Sequence, residues 1–85
     1  MNTYTIRFTK RAVEDINQLR PSQRVKLRYI CDEILSKNPR VGKKLIGDLL
    51  GNYSYRLSFK DRIIYVISEE EKIIYIKRAK THYDK

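Results

Sequence analysis

The sequence predicts an α+β fold in which a helical hairpin packs on one face of a mainly antiparallel four-stranded sheet, in the order β-α-α-β-β-β. Three observations carry that expectation. Apolar residues alternate at the start of the chain, recur at helical spacing through its first half, and return to strand patterning from residue 53 onward.

Along residues 2–8, Tyr4, Ile6 and Phe8 alternate with Thr3, Thr5 and Arg7, the pattern of a strand with one buried and one open face. Thr9 is placed to cap a short helix over 10–19, whose apolar positions are Ala12, Val13, Ile16 and Leu19. Arg20-Pro21-Ser22 interrupts the chain, and Pro21 suits the first turn of a second helix. That helix runs to about Ser36, with Leu27, Ile30, Cys31, Ile34 and Leu35 as its buried stripe, and Asn38-Pro39 stops it. A loop with Arg40, Lys43, Lys44, Gly42 and Gly47 leads to a turn at Gly51-Asn52. Three strands are then expected, at 53–59, 62–68 and 72–79, joined at Lys60-Asp61 and Glu69-Glu70-Glu71. The run Ile63-Ile64-Tyr65-Val66-Ile67 is continuously apolar and marks the central strand. With no repeat or linker, residues 1–85 read as a single domain.

At 85 residues the chain has room for one core, so any cleft must be shallow or completed by a partner. Nineteen Lys and Arg oppose ten Asp and Glu, a formal charge of +9 spread over both halves of the chain. Such a surface favours a polyanion through counterion release and long-range attraction. An acidic protein partner would satisfy the same charge. One cysteine and one histidine exclude an intramolecular disulfide and a dedicated Cys/His metal site. Cys31 falls within the apolar stripe and reads as a core residue. The N-terminus has no long apolar segment and no stretch approaches the ~20 residues needed to span a bilayer, so a cytoplasmic location is expected.

Strand alternation has a chemical consequence. If Tyr4, Ile6, Phe8, Tyr55, Leu57 and Phe59 face the helices, Arg7 and Arg56 face the uncovered side, where Arg62 and a cation from Lys77 to Lys80 would join them. Guanidinium groups on an open sheet face hold phosphate by forked hydrogen bonds, although exposed strands also carry Lys and Arg for solubility alone. The polar tail Thr81-His82-Tyr83-Asp84-Lys85 holds the chain's one imidazole, suited to proton transfer near neutral pH, beside a tyrosine able to stack on a base. No Gly-rich phosphate loop, Gly-x-Ser-x-Gly motif or metal-binding carboxylate pair is present. A nuclease working without metal or other cofactor must use the RNA 2'-hydroxyl as nucleophile. It then needs a base near that hydroxyl, positive charge at the phosphate, and an acid for the leaving 5'-oxygen.

The run Gly51-Asn52-Tyr53-Ser54-Tyr55-Arg56-Leu57-Ser58-Phe59-Lys60-Asp61-Arg62-Ile63-Ile64-Tyr65-Val66-Ile67 resembles the G-x-Y-x-x-R-…-R-[ILV]-[ILV]-Y-x-[IV] stretch of the RelE/ParE toxin superfamily. The ending Ala79-Lys80-Thr81-His82-Tyr83 is similar to the C-terminal His-Tyr of YoeB-like and the Thr-His of YafQ-like members. The resemblance implies a ribosome-dependent mRNA interferase that cuts codons in the ribosomal A site and is neutralised by an acidic antitoxin. By position, Arg62 matches the arginine that stabilises the transition-state phosphate and Arg56 a basic residue contacting it. His82 matches the proton-transfer histidine, and Tyr83 the tyrosine that positions substrate or leaving group. Arg7, Lys43, Lys44, Lys60 and Lys80 are the further cations expected to hold RNA. One departure stands out: the glutamate that YoeB-like members carry before the second strand aligns with Lys43, leaving His82 or a lysine as base. A ParE-like gyrase inhibitor without nuclease activity would share the fold but generally lacks the terminal His-Tyr.

Overall fold

The computed structural model describes residues 3–47 and 51–79. Strand β1 (Thr5–Phe8) leads into helix α1 (Lys10–Asn17) and helix α2 (Pro21–Tyr29), which continues as a π-helical turn over Ile30–Leu35. A 3-10 turn at Pro39–Val41 precedes β2 (Lys43–Lys44), followed by β3 (Tyr53–Arg56), β4 (Arg62–Ser68) and β5 (Ile73–Arg78).

These strands form one five-stranded sheet in the order β1-β5-β4-β3-β2. Only β1 and β5 run parallel; the other three pairings are antiparallel. The expected α+β architecture, mainly antiparallel sheet and central position of β4 therefore hold. The expected strand count of four does not. Lys43-Lys44 forms a fifth, two-residue edge strand because its backbone pairs with Ser54 and Tyr53.

Local chemistry explains most boundaries. Thr9 Oγ1 accepts a hydrogen bond from Ala12 N at 3.2 Å, capping α1, and donates to the carbonyls of Ile76 and Lys77, tying that cap to β5. Pro21 occupies the first turn of α2, where its missing N–H costs nothing, and Gln23 Oε1 accepts from Arg20 N. At the far end Ser36 N reaches back five residues to Cys31 O at 3.0 Å, and Ser36 O accepts from Tyr4 N at 2.8 Å. The helical hairpin is thus pinned to the start of β1.

The core joins Ala12 and Leu19 of the first helical segment, Leu27, Ile30, Cys31 and Leu35 of the second, and Leu57, Ile63, Tyr65, Ile74 and Ile76 of the sheet side. Burial pushes the Cys31 thiol up to about 12, which keeps it protonated and unreactive. Three apolar residues are less buried than expected: Val13 and Phe8 are substantially exposed and Phe59 is almost wholly so, although Phe8 keeps the expected helix-side facing, beside Ile6, Ile16 and Leu27. For Phe59 the reason is that β3 ends at Arg56. Leu57 N and Ser58 N both donate to Asp61 O, at 2.9 and 3.1 Å, and this turn breaks the alternation before residue 59.

Candidate nucleic-acid interface

The β3–β4 hairpin places the two arginines singled out by the sequence. Its register pairs Tyr53 with Tyr65, Ser54 with Ile64, Tyr55 with Ile63, and Arg56 with Arg62. Directly opposed residues share a sheet face and successive ones alternate. Tyr65 lies in the core on the helix side, so Ser54, Ile64, Arg56 and Arg62 all project to the helix-free side. The Arg62 guanidinium donates from Nη1 to Ser54 Oγ at 3.3 Å, which aims it across the face. Arg56 is exposed and Ser54 buried, so cations stand around a polar floor.

Lys43 joins this group because it pairs with Ser54 on the neighbouring edge strand. Its position depends on the loop before it. Tyr65 Oη donates to Pro39 O at 2.7 Å and accepts from Gly42 N at 3.1 Å. A side chain at residue 42 has no room: a Cβ there would lie 2.3 Å from Tyr65 Oη and 2.9 Å from Ser54 O. Tyr65 stacks on Tyr53, with ring centroids 5.4 Å apart, and the Tyr53 hydroxyl accepts from Arg40 Nη1 at 3.0 Å. Arg40 also pairs with Glu69, which accepts from the Tyr4 hydroxyl at 2.7 Å. The loop into β2 is therefore clamped from both ends.

The remaining expected cations are distributed differently. Lys44 pairs with Tyr53 and so lies on the opposite face from Lys43. Lys60 is exposed in the turn between β3 and β4. Arg7 shares the open face in a row with Tyr75 and Val66. Val66 is four residues along β4 from Arg62, so strand geometry sets Arg7 roughly 16 Å from Arg62, outside the Arg56–Arg62 group. Lys80, His82 and Tyr83 lie outside the described residues.

The end of β5 holds a feature the sequence did not announce. A register shift between Ile64 and Tyr65 leaves Lys77 as an extra residue between Ile76 and Arg78. Arg78 then turns to α1, donating to Asp15 Oδ2 from Nε at 2.7 Å and to Oδ1 from Nη2 at 3.2 Å. Asp15 Oδ2 also accepts from Ala79 N at 3.0 Å. Of the cations at the end of β5, Arg78 is thus a strut, while Lys77 remains exposed. A concavity of about 330 Å³ beside Ile64 is lined by Lys77, Arg78, Arg11, Thr9 and Asn52. Arg11 and Ser54 are site-side residues that sequence reading missed. Ser54 was accessible in principle, two positions from Arg56 on the same strand face; Arg11 looks like any solvent-facing helix residue.

Among the described residues no group of three or more His, Cys, Asp or Glu side chains could hold a metal ion, and no helix is long and apolar enough to cross a membrane.

No protein-family model matches the chain. Toxin RelG of Mycobacterium tuberculosis (strain ATCC 25618 / H37Rv) is 35% identical over 77 residues, covering 89% of this chain and 87% of that protein. Among solved structures, a chain of the toxin–antitoxin complex RelBE2 from M. tuberculosis superposes with a TM-score of 0.86 at 34% identity, covering 100% of this chain and 97% of that one. A chain of the YoeB-YefM complex from Staphylococcus aureus gives 0.78 at 25% identity, with 94% and 98% covered. The intact E. coli RelBE complex matches at 0.77 with 20% identity over 94% of this chain and 98% of that one, a likeness of fold alone.

Proposed function

Because this chain belongs to the RelE/ParE toxin superfamily, we propose that it is the toxin of a type II toxin–antitoxin pair, a ribosome-dependent endoribonuclease that cuts mRNA in the A site. The observation that carries the reading is the pairing of Arg56 with Arg62 on the helix-free face, with Ser54 beneath them and Lys43 alongside.

Such a group suits a phosphodiester that gains negative charge as it reacts. Two guanidinium forks grip non-bridging oxygens, and Arg62, steadied by Ser54, is preorganised for the pentacoordinate phosphate. The attacking nucleophile is the adjacent 2'-hydroxyl, so no metal-activated water is required and DNA is not a substrate. His82 moves a proton and Tyr83 positions the substrate or leaving group, as their match to the family's C-terminal residues implies. With Lys43 where some relatives carry glutamate, the base is His82 or a lysine. The face is open and shallow, so the ribosome must order the substrate, and free RNA is cut poorly. Lys43, Lys60 and Lys80 contribute attraction for the RNA backbone, with Arg7 and Lys44 at greater remove.

The partner is an acidic antitoxin that forms a hetero-oligomer with this +9 chain. Support comes from relatives solved as RelBE2 and YoeB-YefM complexes. The gyrase-inhibitor reading is not favoured, since these relatives carry RelE- and YoeB-type names.

The test is primer extension on translated messenger after induction of the wild type, Arg62→Ala and His82→Ala. Breaks inside translated codons that both substitutions abolish are expected. Growth arrest with intact messenger and inhibited gyrase would overturn the reading.

A further inference from the structure

Phe59 is 89% exposed, the most exposed large apolar side chain among the described residues. It does not sit on a loose loop. The turn that presents it is closed by Leu57 N and Ser58 N donating to Asp61 O, and by Asp61 N donating to Ser58 Oγ at 3.2 Å. Leu57 itself is fully buried and anchors the turn. A rigid turn therefore holds an aromatic ring in water, where a polar residue would serve the fold equally well.

The surroundings of the ring are polar and cationic. Phe59 and Lys60 share a concavity of about 430 Å³ with Gln18 and Arg20 from the connection between α1 and α2 and Gln23 from the first turn of α2. The one acid there, Asp61, is buried and engaged with the Ser58 hydroxyl. An isolated aromatic among cations and amides does not form the contiguous apolar patch that a protein partner would seek. It has what an unpaired nucleotide needs: a flat face to stack on, positive charge for the backbone, and amides for the base edge. Phe59 also sits at the tip of the hairpin that carries both arginines, three residues from Arg56 and three from Arg62, so the chain allows at most about 11 Å between their Cα atoms, one or two nucleotides along a strand.

We propose that the Phe59 turn is a stacking platform for an unpaired base of the RNA strand whose phosphate Arg56 and Arg62 hold, with Arg20 and Lys60 flanking its backbone. This rests on the reading of the open face as an RNA site.

The experiment is fluorescence anisotropy at low salt, using a fluorescein-labelled uridine decamer and the same decamer with abasic riboses. Phe59→Leu should weaken decamer binding about 5- to 150-fold, the usual worth of one stacked base, and Phe59→Trp should bind within about twofold of wild type. The abasic strand should bind wild type and Phe59→Leu alike. Arg20→Gln and Lys60→Gln should each reduce the log–log salt slope by about 0.7, whereas Phe59→Leu leaves it unchanged. The proposal fails if Phe59→Leu binds the decamer as wild type does, if it weakens the abasic strand equally, or if Phe59→Trp is as weak as Phe59→Leu. Failure of the nuclease reading looks different: messenger stays intact, whatever Phe59 does to the decamer.

Discussion

Arg56 and Arg62 face each other directly across the β3–β4 ladder, two like charges at a position where opposed pairs interact most closely. A sheet selected for stability alone would place opposite charges there. Arg56→Glu should therefore stabilise the fold by about 0.2–1 kcal/mol through a cross-strand pair with Arg62. The same change should cut messenger cleavage by at least about 100-fold, because a carboxylate now repels the phosphate. Urea titration checks the first half through a raised midpoint at unchanged slope. A lowered midpoint would show that the arginine pair does not strain the hairpin.

Asp15 joins α1 to the end of β5 through three accepted hydrogen bonds, two from Arg78 and one from Ala79 N. Its carboxylate is buried, whereas the Arg78 side chain is 36% exposed and partly screened by water. Asp15→Ala should cost about 2–3 kcal/mol, less than a fully buried ion pair and more than a surface one. At about 4–8 °C per kcal/mol for a chain of this size, the melting temperature should fall by about 8–24 °C. Cleavage assayed well below that temperature should also drop, since Asp15 fixes the strand end from which the chain runs on to His82. A melting temperature within a degree or two of wild type would show Asp15 to be dispensable.

How far the sequence alone leads can be seen in particular elements. The strands β4 and β5 carry continuous apolar runs, at residues 63–67 and 73–76, and are legible at once. Arg56 and Arg62 follow from alternation combined with a hairpin turn. The strand β2 is invisible because Lys43-Lys44 carries no apolar pattern; its pairing rests on the adjacent Gly42 being held by the Tyr65 hydroxyl, more than twenty residues away in sequence. The alternation through Leu57 and Phe59 misleads in the opposite direction, since hydrogen bonds to one carbonyl, Asp61 O, end β3 early. The fate of Arg78 depends on a bulge and on a carboxylate 63 residues away, neither of which leaves a local signal.

Tyr65 gives a sharper test of the clamp that positions Lys43. Its hydroxyl serves one donor and one acceptor, and burial pushes its pKa up to about 12. Tyr65→Phe leaves Gly42 N and Pro39 O without that partner and should cost about 1–3 kcal/mol. Gly42→Ala should cost more, because a Cβ would press on the Ser54 carbonyl as well as on Tyr65 and would push β2 away from β3. Hydrogen exchange at Lys44 and nearby amides should accelerate in both variants. Unchanged protection would separate the tyrosine from the placement of Lys43.

Acid should loosen the same clamp from its other end. The Tyr4 hydroxyl, followed by Arg40 and Lys72, holds the Glu69 carboxyl below its ordinary value of 4.5. A carboxyl whose folded value is depressed contributes its full stabilisation above the unfolded value, and loses it as pH falls through the folded one. Glu69→Gln should therefore be less stable than wild type near neutrality, with the difference shrinking below about pH 4.5 as wild-type Glu69 takes up a proton. Because the group is solvent-exposed, added salt should narrow the gap at neutral pH as well. Thermal melts of both proteins between about pH 3 and 7 decide the matter: converging curves support the network, and parallel curves would mean that the charge on Glu69 does not stabilise the fold.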